Sequence, residues 1–288
     1  MSSGSLLYSR TGSVFTSFHH SEQSHVVETR DLTKIESDVV RVGMPLVHGA
    51  NLYPMVKPQG TEIRGIKTAQ KDGVEVSSIT FTNLDCTYVE TVRHISSDGS
   101  LPLEVFAKRP ARDLYRAVVV HVDVEEGGEI TLSDLEKSLR EVRKCDALLV
   151  DANSYTDKWL TRSRGVIDVR EYNLGSPYFS TEAMRGIISQ GVAILGGNFP
   201  SFSNPKTKEG FGVDMIAEFY KTKENMILAP LLNLKKVHDL VVALQVNPIE
   251  IPGWCGLPCS PVVYQGELKR LFLEYLERAL HPQESREL

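Results

Sequence analysis

The chain has 288 residues, of which 41% are hydrophobic and 24% charged, enough for one large domain or two small ones. A formal charge of −5 and basic residues scattered in runs no longer than Lys235-Lys236 exclude an electrostatic nucleic-acid footprint. No apolar run reaches the roughly 18 to 20 residues that span a bilayer, so a soluble protein acting on small molecules or protein partners is expected.

Residues 1 to 38 form a Ser/Thr-rich stretch with no acid before Glu22 and no sustained period, and read as a flexible extension. Arg10 is its one full positive charge in the first twenty residues, which supports a plain tail over a transit peptide. His19, His20 and His25 read as solvated imidazoles within it. From Val39 to the end at residue 288, strand and helix patterns alternate, which predicts a single α/β domain with a mixed central sheet flanked by helices. Strands are expected at Val74–Thr82, Arg116–Val122, Ala147–Val150, Val192–Leu195 and Val241–Val246. Thr131 followed by Asp134 marks a helix start, with Leu132, Leu135, Leu139 and Val142 as its apolar stripe and Glu136 paired to Arg140. Ser180 opens a second helix, with Gly191 just beyond its end. Leu268, Leu271, Phe272, Tyr275, Leu276 and Ala279 line one face of a C-terminal helix that Pro282 ends, a stripe suited to core or subunit contact.

The most informative run is Thr82 to His94. Its alternating positions Leu84, Cys86, Tyr88, Glu90, Val92 and His94 offer one thiol, one carboxylate and one imidazole. A catalytic zinc centre uses three firm ligands and an open position for water, and alternation along a strand is one way to aim them at one ion. The bland reading is a half-buried strand leading into a polar turn ahead of Ser96, Ser97 and Asp98. Cys86 as a nucleophile with His94 as its base is a further reading. The other cysteines are Cys145 and the pair in Cys255-Gly256-Leu257-Pro258-Cys259, which reads as a Gly/Pro turn or, more weakly, a metal or redox pair. Their spacing fits no disulfide framework and points to a reducing, cytoplasmic setting. His48, His121 and His238 are isolated imidazoles, and Asp151 ends an apolar run where either a turn or a ligand contact could use it.

Cys86-Thr87-Tyr88-Val89-Glu90-Thr91-Val92-Arg93-His94 resembles a motif of the cyclase family that includes bacterial kynurenine formamidases and isatin hydrolases. One branch of that family carries Gly-Thr-His-Thr-Glu-x-Val-Gly-His, matched here at Thr87, Glu90, Val92 and His94. Met44-Pro45-Leu46, Ser180 to Gly197, Leu231-Leu232-Asn233-Leu234, Ile251-Pro252-Gly253 and Ser260-Pro261-Val262 are similar in order to other family segments, so the likeness covers most of residues 40 to 266. The resemblance implies a metal-dependent hydrolase fold and a homo-oligomer. It also implies a divalent ion held by two motif histidines, the acid, and a downstream His and Glu.

Those ligand positions fall on Leu84 (Asn83 if the register slips by one), Tyr88, Glu90, Ala217 and Ala229, with Asn198 where an Asp is common. Leucine and alanine have no lone pair to give, and tyrosine ligates only as phenolate, so Glu90 alone remains as a metal ligand. Zinc or manganese is therefore expected only if ligands are rebuilt, for example from Asp214 or Glu218. The expectation is a degenerate family member without zinc hydrolase activity that keeps a binding or assembly role. A small aromatic or amide ligand would sit against Tyr88, Phe199 and Phe202 beside the Gly196-Gly197 turn. The alternative is an active hydrolase of a formamide, lactam or other cyclic amide with His94 and Glu90 as catalytic pair.

Overall fold

A computed structural model describes residues 37–47, 60–162, 169–207, 213–222 and 224–282. The extension up to residue 36, His48 and the side chain of Asp214 lie outside the described residues. In chain order the strands are β1 (Val39–Arg41), β2 (Glu62–Lys67), β3 (Val76–Thr80), β4 (Tyr88–Thr91), β5 (Leu114–Val122), β6 (Glu129–Ile130), β7 (Ala147–Ala152), β8 (Tyr178–Phe179), β9 (Ile194–Gly197), β10 (Met226–Ala229), β11 (Val241–Gln245), β12 (Gly256–Pro258) and β13 (Val262–Tyr264).

Nine of these make one sheet in the order β1, β13, β11, β5, β7, β9, β10, β4, β12. Its centre, β5, β7, β9 and β10, is parallel, and antiparallel strands join on both sides, so the expected mixed sheet is what forms. The central strands are near-continuous apolar runs because both of their faces are covered. Val118, Val120, Leu148 and Val150 point into one core, under the helices Leu132–Leu139 and Thr181–Ser189. Ala117, Val119, Ala147 and Leu149 alternate into the opposite core, which includes Val105 and Phe106 from the helix Pro102–Ala107.

Helix starts follow the expected chemistry. Thr131 N–H donates to the Asp134 carboxylate (2.7 Å), and Ser180 Oγ accepts from Ala183 N–H (3.0 Å). Leu135, Leu139 and Val142 are buried, whereas Leu132 sits at the rim against Gly186.

Two expected elements behave differently. The strand expected at Val74–Thr82 forms as β3, but it pairs only with β2, and every residue of both strands is exposed. Alternation was present, but the segment projects off the main sheet, so neither face finds a core. In the C-terminal helix Leu268–Leu280, Leu276 is buried and Phe272 stacks on Tyr264 with ring centroids 3.8 Å apart. Leu271 and Tyr275 on the same helix remain exposed, so the stripe is only half covered.

Gly197, at the end of β9, allows a close approach. A Cβ there would lie 2.8 Å from the Phe199 ring and 2.9 Å from that of Phe202, both fully packed. Gly197→Ala is expected to destabilise the protein by about 1 to 3 kcal/mol in urea unfolding, the usual cost of overpacking.

His121, near the C-terminal end of β5, bridges to β7 and to the residue that follows the helical turn Leu234–Lys236. Its Nδ1 is 2.9 Å from Asp151 Oδ2 and its Nε2 2.9 Å from the Val237 carbonyl oxygen. Both partners accept, so the ring serves both only as imidazolium, and the Asp151 bond holds it above the usual histidine range. The folded value exceeds the unfolded one, so this contribution is full below about pH 6.5 and is lost as pH rises through the folded value. The gap in urea midpoint between wild type and His121→Gln should therefore narrow from about pH 5.5 to about pH 8.5.

Candidate functional site

The run from Thr82 begins as a tight turn, not as a strand. Asp85, buried, organises it: Oδ2 accepts from Thr82 N–H (2.8 Å) and from Thr61 Oγ1 (3.1 Å), and Oδ1 accepts from Thr82 Oγ1 (2.9 Å). Thr87 then ties the turn to two other segments. Its Oγ1 accepts from Met44 N–H (2.6 Å) and its hydroxyl donates to the Pro230 carbonyl. β4 starts only after that anchor, and because it lies between β10 and β12 all four of its residues are buried.

Alternation along β4 puts Tyr88 and Glu90 on one face and Val89 and Thr91 on the other. The register sets Tyr88 opposite Ala229 and Glu90 opposite Ile227 on β10, and Glu90 opposite Gly256 on β12. A short helical turn, Val92–His94, follows immediately and swings the His94 ring back toward Glu90. Gly99 closes that turn, since a Cβ on it would lie 2.4 Å from Val92 Cγ1.

Glu90 is 7% exposed. Its Oε1 accepts from the Tyr220 hydroxyl (3.1 Å), while Oε2 has no hydrogen-bond partner among the described residues and lies 3.7 Å from His94 Nδ1. The same Nδ1 is 3.6 Å from Cys255 Sγ, and Asn83 Nδ2 approaches that sulfur at 3.7 Å. Strand pairing holds Cys255 there, because its carbonyl accepts from Thr91 N–H (3.3 Å) and Gly256 follows in register with Glu90. A Cβ on Gly256 would stand 2.9 Å from Asn83 Nδ2, so glycine leaves room for the amide to reach the sulfur.

Burial raises the Glu90 carboxyl above its ordinary range, and His94 and the Tyr220 hydrogen bond offset this in part. His94 is pushed up to about 9, first by its hydrogen bond to the Cys255 sulfur and also by the Glu90 charge, against a lowering from burial. Its side chain is 37% exposed, so the ring carries charge at lower cost than the buried carboxyl does, and His94 is the group that holds the proton. Tyr220 is raised well above the usual phenol by burial and then by Glu90.

Of the residues singled out from sequence, the fold brings Glu90 and His94 together. The thiol beside them is Cys255, not Cys86: burial pushes the Cys86 thiol up to about 12, and its Sγ points to the Thr87 carbonyl (3.3 Å). Tyr88 is buried on the Glu90 face. Phe199 and Phe202 are fully packed with Phe179 in a three-ring cluster with centroids 5.1 to 5.5 Å apart, so their surface is taken up by the core. Asn198 braces two strand ends, accepting from Ala152 N–H (2.8 Å) and donating to Asp151 (2.5 Å).

The metal-ligand positions do not reassemble a centre. Leu84 is buried, Ala229 faces Tyr88, Ala217 is half-buried on the helix Val213–Phe219, and Glu218 pairs with Lys221. Among the described residues, no three His, Cys, Asp or Glu side chains are grouped to hold an ion. The donor set of the described residues therefore does not fit the divalent ion that the cyclase resemblance implies.

Sequence reading missed Tyr220 and the role of Cys255. Cys255 lies 161 positions from His94, and only the β4–β12 pairing joins them. Tyr220 carried no signal beyond its aromatic character.

Three solved structures share the fold. Isatin hydrolase A from Labrenzia aggregata, bound to benzyl benzoate, is 14% identical over 81% of this chain and 98% of its own, with a TM-score of 0.58. Isatin hydrolase A from Ralstonia solanacearum gives 0.61 at 14% identity, over 85% and 99%. A predicted metal-dependent hydrolase from Bacillus stearothermophilus gives 0.58 at 14% identity, over 78% and 97%. Among curated proteins none matches. The family described as "Putative cyclase" matches residues 21–203, more than half of the chain, and the chain belongs to that family.

Proposed function

We propose that this chain is a cyclase-family protein whose divalent-metal centre has been dismantled and that retains a small-ligand site around Glu90 and His94. One observation carries this reading: the strand register sets Tyr88 directly against Ala229, two of the implied ligand positions, and neither side chain is a ligand at neutral pH. Glu90 is left alone among the implied donors. A water activated by a metal is thus not available from these side chains, and a zinc hydrolase of the usual kind is not expected. The ligand is a small aromatic or amide compound, by analogy of fold with neighbours that include a benzyl benzoate complex.

The pairing of Glu90 with His94 at 3.7 Å favours a second reading, hydrolysis of a formamide, lactam or other cyclic amide without the ion. In it His94 moves the proton and Glu90 orients the ring and balances its charge.

The reading includes a homo-oligomer, supported by apolar side chains left uncovered at Ile63, Ile66 and Ile79 on the β2–β3 hairpin and at Leu271 and Tyr275 on the C-terminal helix. Among the described residues no helix is long and apolar enough to cross a membrane. Four thiols outside any disulfide support a cytoplasmic setting.

Elemental analysis of full-length protein, expressed with zinc and manganese supplied, should find far less than one ion per chain. Binding of an N-formyl aromatic amine, measured calorimetrically, should be unchanged by a chelator. A stoichiometric ion would overturn the reading. If the second reading holds, the metal-free protein hydrolyses that compound and His94→Ala slows turnover by about 100-fold or more, as for loss of a positioned base. Light scattering after size exclusion should give a mass that is a multiple of the single chain, and a monomer at micromolar concentration would remove the assembly from the proposal.

A further inference from the structure

We propose that Cys255, with His94 and Glu90, forms a thiol site that accepts the acyl group of a small aromatic ester or cyclic amide onto its sulfur. This deepens the function proposed above and rests on the part of it that removes the divalent ion.

Four observations converge on Cys255. Its Sγ is 3.6 Å from His94 Nδ1 and 3.7 Å from the Asn83 amide nitrogen, so a base and a hydrogen-bond donor both face it. Glu90 is nine-tenths buried, and its Oε2 has no hydrogen-bond partner among the described residues while facing the same ring nitrogen at 3.7 Å. Cys255 and His94 are both reached by solvent, whereas Cys86 and Cys259 are buried. Trp254, immediately before Cys255 in the chain, meets Phe81 edge to face with ring centroids 6.0 Å apart, so an aromatic pair adjoins the cysteine in sequence.

The chemistry balances with water as the only co-reactant. In the reacting form the thiol's proton is the one that His94 holds, and Sγ adds to the carbonyl carbon beside the charged ring. The bond to the aryloxide or amide nitrogen then breaks, and His94 delivers the proton to that leaving group. Water cleaves the resulting thioester, leaving its hydroxyl on the carbonyl carbon and its proton on the sulfur. Glu90 acts as a positioning residue, since among the described residues its carboxylate meets the His94 ring and the Tyr220 hydroxyl. Both Cys255 and Glu90 face Nδ1 rather than opposite nitrogens, so the arrangement is a shared-proton cluster and not a linear relay.

The test uses the full-length protein after chelator treatment, with iodoacetamide at pH 7 and site-mapped mass spectrometry. Cys145, exposed, is the internal reference. Cys255 should be alkylated faster than Cys145 by on the order of tenfold, and His94→Ala should abolish that advantage while leaving Cys145 unchanged. With 4-nitrophenyl acetate, an acetyl adduct should appear on Cys255, and nitrophenolate release should fall by on the order of a hundredfold in Cys255→Ser. His94→Gln and Asn83→Ala give the same readout if the alanine variant loses its native circular dichroism. Equal reactivity of Cys255 and Cys145, an unchanged rate in a folded His94 variant, or unchanged release in Cys255→Ser would each overturn the thiol site. Those failures leave the metal-free reading standing, whereas a stoichiometric ion whose removal abolishes turnover overturns that reading itself.

Discussion

A carboxyl group buried at the end of a sheet is the constraint around which this site is arranged. Glu90 has strands on both sides and is 7% exposed, so it is largely shut off from bulk water. An uncompensated charge in that position costs several kcal/mol, and the fold responds with two neighbours of different chemistry and a thiol beside one of them. Tyr220 donates to one oxygen, the helical turn after β4 returns His94 toward the other, and β12 brings Cys255 to the same imidazole nitrogen. Each comes from a different segment, so the cluster exists only when the whole edge of the sheet has assembled.

The residues beside Glu90 are coupled by geometry. Tyr88 and Ala229 are cross-strand partners, and a large ring opposite a methyl group is a volume exchange that a close-packed interior accepts. A histidine opposite a glutamate at the same two positions would present two polar groups that need an ion or each other. The apolar pairing needs neither, which is why β4 and β10 close with both residues buried. Thr87 does structural work beside this pair, joining the Met44 segment and the Pro230 turn to the start of β4.

Much of the scaffold was legible in the sequence, for reasons that are local. The runs 116–122 and 147–150 are apolar on both faces, and only a covered parallel strand has a use for that pattern. Ser180 and the Thr131/Asp134 pair marked helix starts because a side chain in each satisfies a backbone N–H within a few residues: Ser180 Oγ that of Ala183, and the Asp134 carboxylate that of Thr131. The β2–β3 hairpin was not legible as a separate piece, since alternation records a preference for a half-buried surface and says nothing of which surface is supplied. The site divided the same way. Glu90 and His94 lie four positions apart and could be read together, while Cys255 and Tyr220 arrive through long-range pairing that no spacing encodes.

The two cysteines that bracket β12 show how strand geometry assigns chemistry to like residues. Four extended residues separate their Cα atoms by roughly 13 Å, at about 3.3 Å each, so Cys255 and Cys259 cannot meet as a redox pair. Cys259 falls where β12 passes Thr87: it is buried, its Sγ lies 3.6 Å from the Thr87 carbonyl oxygen, and burial holds its thiol well above the usual range. Cys86 donates to the same carbonyl, so this buried pair works as two small apolar fillers. Cys255 falls at the open start of the strand, before Gly256, where the missing Cβ admits the Asn83 amide and the turn after β4 supplies an imidazole. What separates an inert thiol from one beside a base is thus its position along a three-residue strand, fixed by the register that also buries Glu90.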